Sequence, residues 1–308
     1  MRRRKKGTVG IVGLGIMGGA FAKNLIEEGW RVIGFDLEPA RKRAAARAGV
    51  EIARDVAALA KAAPTIITSL PNPQALDATV AALAAAKVKR RIVIEASTFT
   101  LDDKMRAEAL LRKAGHIALD CPVSGTGAQA KVRDLVVYAS GDTAAIRKSR
   151  RLFAGFTRGV YDLGAFGNGS KMKYVANLLV AVHNVASAEA MVLGMKAGLD
   201  PQRVLELVTA GVGTSRVFEL RAPMMVHNNY EDATMKIKVW QKDLDVIGGY
   251  AAKINCPTPL LSATLPIYAA AMATGHGMHD TASVCAVLES MAGHRRPTRS
   301  RSTKRRRR

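Results

Sequence analysis

The chain has 308 residues, 48% of them hydrophobic and 5% aromatic, with a formal net charge of +22. That composition excludes a wholly disordered chain and leaves room for one large domain or two ordinary ones. Five of the positive charges lie in residues 2–6 and nine at or after His294, with no acid in either stretch, so the body between them carries +8, which suits anionic substrates and a pyrophosphate cofactor.

In chain order, residues 1–7 read as a basic, unstructured lead. Together with the apolar glycine-rich run behind them and Ala20-Phe21-Ala22, they imitate a secretory leader with its cleavage site. Cleavage there would remove the strand and glycines that the following domain needs, so the chain is read as intact and cytoplasmic. Short β-branched runs then alternate with alanine-rich helical ones: TVGIVG from Thr8, a helix to Gly29, WRVIGFD ending at Asp36, a helix around Arg41 to Ala48, TIITSL at 65–70, a helix after Pro73, RIVIEAS at 91–97, a helix over 101–114 and HIALD at 116–120. Such alternation predicts an α/β fold, a Rossmann-type doubly wound, mostly parallel sheet over residues 8–167. LVVYAS (135–140) and GVYDLG (159–164) extend the sheet, with a helix from near Asp142 between them.

Beyond Gly169 the strand signals stop. Ser170 to Gly198 is proline-free with a broad apolar face and predicts one long helix, and Asp200-Pro201 supplies an N-cap with proline at the first helical position. Further helices to about Ala292 make a second, all-helical domain over 168–293, followed by a basic, unstructured tail over 294–308. No run of 18 apolar residues occurs, which predicts no membrane span. Cys121, Cys256 and Cys285 have no CxxC spacing, which argues against a disulfide framework or a zinc site and fits a reducing compartment. His183, His227, His276 and His279, with Asn184, read as helix surface or core, and no metal is expected. Trp30 and Trp240 read as packing residues.

Four stretches carry chemistry. In Gly13-Leu14-Gly15-Ile16-Met17-Gly18, lying between a strand and a helix, Gly13 permits the tight turn, Gly15 a close approach to pyrophosphate and Gly18 close helix–strand packing. Asp36 ends the next strand and can accept the adenosine ribose hydroxyls, while its charge, with Glu38, repels the extra phosphate of NADP. NAD is therefore the expected cofactor and NADP the less favoured one. Arg41, Lys42 and Arg43 are the counterweight, since one of them could turn onto a 2′-phosphate; a solvated helix face is the favoured reading. Leu70, Pro71 and Asn72 follow a strand and would line the cofactor cleft, although the prolines alone explain a turn. Ser124-Gly125-Thr126-Gly127 offers hydroxyls and open N–H groups to a carboxylate, or is a plain glycine turn. Lys173 and Asn177, four apart on the long helix, share a face, and a lysine among Tyr174, Val175, Leu178 and Leu179 would have its pKa lowered toward useful proton transfer.

These stretches resemble the β-hydroxyacid dehydrogenases, the family that includes 3-hydroxyisobutyrate dehydrogenase and tartronate semialdehyde reductase. GLGIMG resembles the family's cofactor turn, DCPVSGTGAQA (120–130) its substrate-binding segment, GNGSKMKYVAN (167–177) its catalytic segment and KDLDV (242–246) a later motif. The resemblance implies that Ser124, Gly125 and Thr126 bind the substrate carboxylate, that Lys173 is the general acid/base, and that Asn177 orients the substrate hydroxyl. It further implies that Ser97 and Thr98 lie beside the nicotinamide and that Lys242, near the cofactor, and Asp243 cap the site. Thr126 stands where the family usually has a second glycine, Ala176 where it has an asparagine, and Met235 where it often has phenylalanine.

The expected activity is NAD-dependent oxidation of a small hydroxy acid. An L-threonate-type sugar acid ranks first, because DCPVSGTGAQA and ATMKIKVWQKDLDVI most resemble that branch. 3-Hydroxyisobutyrate and tartronate semialdehyde or glycerate come next. A homo-oligomer, dimer or tetramer, is implied. The alternative from another class is a non-catalytic dehydrogenase-like module whose basic tails touch nucleic acid non-specifically.

Overall fold

The computed structural model describes residues 6–296, and the basic runs at 1–5 and 297–308 lie outside them. Among the described residues the chain forms β1 (Thr8–Val12), α1 (Ile16–Glu27), β2 (Arg31–Phe35), α2 (Pro39–Arg47), β3 (Glu51–Ile52), α3 (Val56–Ala62), β4 (Thr65–Thr68), α4 (Pro73–Ala85), β5 (Ile92–Glu95), α5 (Leu101–Lys113), β6 (Ile117–Asp120), β7 (Val123–Ser124), α6 (Gly127–Lys131), β8 (Val136–Gly141), α7 (Thr143–Phe153) and β9 (Gly159–Asp162). Helices follow: α8 (Asn168–Lys196), α9 (Pro201–Ala210), α10 (Arg216–His227), α11 (Ile237–Lys253), α12 (Pro259–Ala273) and α13 (Val284–Met291).

The strands lie in the order β3-β2-β1-β4-β5-β6-β8-β7, with β9 on β8. From β3 to β6 every pairing is parallel, β8 runs antiparallel to β6 and β7, and β9 is parallel to β8. This is the expected doubly wound, mostly parallel sheet followed by helices, with the chain order reversing between β1 and β4. Both faces are covered: Val9, Ile11, Phe21, Leu25 and Phe153 belong to one apolar cluster, and Ile66, Leu76, Val80, Val93 and Phe99 to another. Such two-sided burial is why the strands read as continuous apolar runs rather than alternating ones.

Two compact units divide the chain. The first ends at Leu179 and takes back Lys242–Thr258; the second comprises Val180–Gln241 and the chain from Pro259 onward. Within the second, Asp280 is completely buried and accepts from Arg221, from the Thr234 N–H and hydroxyl, and from the N–H groups of Met235 and Ala282. Asp200 caps α9 by accepting the Arg203 N–H, with Pro201 in the first turn, as the sequence signals.

Two expectations need correction, and that of no membrane span is qualified without being overturned. The basic ends are fastened further out than expected: Lys6 pairs with Glu28, and Arg296 holds Glu289 and the Met225 and Val226 carbonyls. Over an 18-residue window α8 reaches a mean hydropathy of 1.5, long and apolar enough by composition to cross a membrane, although half of that window is buried in the protein. The same helix buries Asn177, Asn184 and Ser187, each hydrogen-bonded, as a core helix does. Finally, Arg41 is not simply part of a solvated face, because its guanidinium lies 3.6 Å from Asp36. Cys121 and Cys285 are buried, Cys256 is exposed, and all three are free.

Candidate active site

The glycine turn comes first in the chain. Gly13 has φ +90°, and a Cβ there would lie 2.1 Å from the Ser69 carbonyl oxygen; one on Gly18 would lie 1.9 Å from the Gly13 carbonyl oxygen. Glycine is therefore required for β1, β4 and α1 to meet this closely. At Gly15 a Cβ would meet only Arg41, no nearer than 3.8 Å, so the backbone stays open to a ligand. No side chain caps α1 at Gly15 and its first turn holds no acid, which leaves the helix-terminal N–H groups for an anion. Leu14 is buried and its N–H is spent on Asp36, whereas Ile16 is exposed.

A cleft of about 700 Å³ adjoins this turn and is lined by Gly13, Asp36, Leu37, Arg41, Leu70 and Pro71, among others. Asp36 is 7% exposed and accepts the Leu14 N–H at 2.7 Å and the Glu38 N–H at 2.8 Å, so each carboxylate oxygen keeps one lone pair for a ribose hydroxyl. Pyrophosphate at an uncapped helix end beside an adenosine-sized cleft with an acid on its wall fits these residues. Asn72 plays a different part from the one expected of it, capping α4 by accepting the Ala75 N–H at 2.8 Å. Leu37 and Asp55 also line the cleft and carry no motif that would single them out.

On the first turns of α8, Lys173 and Asn177 are 9% and 3% exposed. Among the described residues no group hydrogen-bonds the Lys173 ammonium. Burial pushes its pKa down to about 8, helped by the nearby Lys242 charge and opposed by Asp243. Asn177 donates to Asp243 Oδ2 at 3.0 Å, and Lys242 lies 3.1 Å from Asp243 Oδ1. Thus the late KD motif, 66 residues further along the chain, is brought to the lysine's helix.

The loop after β5 is held by three consecutive carbonyls. Ser97 O accepts from Lys104, Thr98 O from Lys242, and Phe99 O from the Tyr174 hydroxyl, so side chains of α5, α11 and α8 converge on one short segment. The Ser97 hydroxyl accepts the Leu70 N–H at 2.8 Å, which ties the ends of β4 and β5 together. Below the loop, the buried Lys104 ammonium lies against Glu95 and 3.0 Å from Asp120 Oδ1. Those two carboxylates raise its pKa against the opposing effect of burial. Removing one partner from a buried group of this kind costs about 3–5 kcal/mol.

Ser124 pairs with Val136 in the β7–β8 ladder, its hydroxyl unpartnered among the described residues, and Gly125 follows at φ +130°. The Thr126 N–H is spent on Gln129 Oε1 at 3.0 Å as part of a capping box, and its hydroxyl reaches the same oxygen only at 3.4 Å, so the hydroxyl is the more weakly held of the two. No hydrogen bond joins Ser124, Gly125 or Thr126 directly to Lys173 or Asn177. The link is Asp120, which leads into this segment and accepts the Ser170 N–H at 2.7 Å and the Ser170 hydroxyl at 2.9 Å on α8. Close approach at that junction requires Gly169, where a Cβ would lie 2.4 Å from the Tyr138 carbonyl oxygen. Sequence reasoning missed Lys104, Glu95 and Ser170; an isolated lysine on an otherwise ordinary helix gives no periodic signal.

Residues 8–164 match the NAD binding domain of 6-phosphogluconate dehydrogenase, and residues 167–288 the NAD-binding domain of NADP-dependent 3-hydroxyisobutyrate dehydrogenase. The chain is 31% identical to an L-threonate dehydrogenase of Cupriavidus necator, covering 91% of this chain and 95% of that protein. It is 28% identical to an NAD-dependent L-serine dehydrogenase of Pseudomonas aeruginosa, covering 92% and 99%. Among solved structures, the 3-hydroxyisobutyrate dehydrogenase of Mycobacterium tuberculosis with L-serine superposes with a TM-score of 0.83 at 28% identity, covering 91% of this chain and 98% of that one. This chain belongs to the β-hydroxyacid dehydrogenase family, and is an oxidoreductase that uses NAD to act on hydroxy acids.

Proposed function

We propose that the chain oxidises a four-carbon sugar acid of the L-threonate type, ahead of 3-hydroxyisobutyrate or of glycerate in the tartronate semialdehyde/glycerate couple, with Lys173 as its acid/base. The observation that carries this reading is a buried lysine with no hydrogen-bond partner among the described residues and with its pKa pushed down to about 8, so that both protonation states are accessible near neutrality. NAD, when bound, supplies the hydride acceptor. The chain's own residues do the rest. Neutral Lys173 takes the hydroxyl proton onto Nζ as the carbon–oxygen double bond forms. Asn177, held by Asp243, orients that hydroxyl. The Ser124 hydroxyl, the Gly125 backbone and the Thr126 hydroxyl hold the carboxylate and a further hydroxyl. Ser97, Thr98 and Lys242 shape the nicotinamide side.

The sugar-acid preference rests on Thr126, which adds a hydroxyl where the family usually has glycine, and on the relative named L-threonate dehydrogenase. Asp36 favours NAD, and Arg41, turned onto it, neutralises part of that preference. Initial rates with NAD and NADP against L-threonate, erythronate, glycerate, 3-hydroxyisobutyrate and 3-hydroxypropionate test the assignment. L-Threonate with NAD is expected to give the highest kcat/KM, by about tenfold or more over an acid lacking the extra hydroxyls; 3-hydroxyisobutyrate ranking first would overturn it. The chain is also read as a homo-oligomer, with the exposed apolar side chains Leu193, Leu199, Leu207 and Val212 as interface candidates, and light scattering of the purified protein decides this. Three free cysteines fit a reducing compartment such as the cytoplasm.

A further inference from the structure

Glu95, Lys104 and Asp120 are buried in the first unit and take no part in the chemistry above. A position that needed only volume would do as well with an apolar side chain, because desolvating ions offsets most of their attraction. What distinguishes this cluster is where it sits. Lys104 reaches Glu95 and the Ser97 carbonyl at the end of β5 and Asp120 at the end of β6. Asp120 in turn accepts both the N–H and the hydroxyl of Ser170, one helical turn before Lys173.

We propose that Lys104 is a positioning residue for the reaction: by joining the ends of β5 and β6 and, through Asp120, the start of α8, it sets where Lys173 stands relative to the Ser97–Thr98 loop and the Ser124–Thr126 segment. This rests on the reading of Lys173 as acid/base. The charged groups that face Lys173 are Asp243 and Lys242 of α11, while Tyr174 beside it faces Lys104, Asp120 and Tyr250. Loss of the Lys104 tie loosens the first turn of α8, admits water and relieves the desolvation that holds Lys173 low.

The test uses the double variant Lys104→Met with Glu95→Gln, which leaves the net charge of the cluster unchanged, and the uncharged Ser170→Ala, which cuts the same chain of contacts one step later. In cofactor-free protein carrying ¹³C-dimethylated lysines, the Lys173 resonance, assigned by its loss in Lys173→Met, reports its titration directly. Its midpoint is expected to move up from about 8 by at least about half a pH unit in both variants. With L-threonate and NAD, kcat is expected to fall about tenfold or more while the KM for NAD holds. A folded variant of either kind whose Lys173 keeps the wild-type midpoint overturns the proposal, since a purely structural role would lower thermal stability and leave that midpoint in place. Wild-type turnover in Lys173→Met would instead sink the acid/base reading, and the midpoint would still decide the question for Lys104.

Discussion

Lys173 carries two opposing influences, and their signs make separate predictions. Burial lowers its pKa to about 8 and Asp243 works against that. Oxidation needs the neutral amine, so the rate of hydroxy-acid oxidation should climb with pH and level off above about 8, while the reverse reduction, needing the ammonium, should fall over the same range. In Lys173→Ala the oxidation rate should drop on the order of 10²–10⁴-fold with NADH binding, followed by its fluorescence, little changed. Asp243→Asn keeps an acceptor for Asn177 and removes the charge that raises the lysine's pKa; the rising limb of the pH profile should therefore move to lower pH. A limb moving upward would show that Asp243 acts on Lys173 in some other way. At this scale the four-residue spacing puts Lys173 and Asn177 on one helix face, and the family resemblance rather than the spacing singles them out as site residues. The sequence does not display which carboxylate Asn177 uses, since that contact spans 66 residues of chain.

Elements with a long apolar period were readable in advance, and short ones were not. The long helix, expected over 170–198, runs Asn168–Lys196, and its displaced start reflects Asn168 and Gly169 entering the first turn. β3 and β7 have two residues each and α6 has five, too few for any periodicity to register. The antiparallel direction of β8 was equally hidden, because direction is set by the intervening segment rather than by the strand's own residues. Gly169 is where element and site meet. In Gly169→Ala the new methyl group must displace the Tyr138 or Asp120 carbonyls, at 2.4 and 2.7 Å, and backbone yields poorly. A loss of about 1–3 kcal/mol in thermal or urea unfolding is expected, with activity falling further than stability because α8 carries Lys173. Equal unfolding midpoints for the two proteins would contradict the packing described for this junction.

Across the whole molecule, the order of strand and helix signals was sufficient for the doubly wound class, since a parallel sheet with right-handed crossovers leaves few other arrangements. The return of Lys242–Thr258 to the first unit was not foreseeable from composition, because α11 reads as one more helix among helices. Of the three thiols, two are shut away: burial drives the Cys121 pKa well above its ordinary value and the Cys285 pKa to about 12, leaving little thiolate at neutral pH. Cys256, exposed just beyond α11, keeps its access to solvent. The native protein should therefore consume one equivalent of a maleimide or an aromatic disulfide reagent, and three after denaturation. That makes the segment following the KD helix the natural place for a single spectroscopic label, attached without engineering and in the same unit as Lys173.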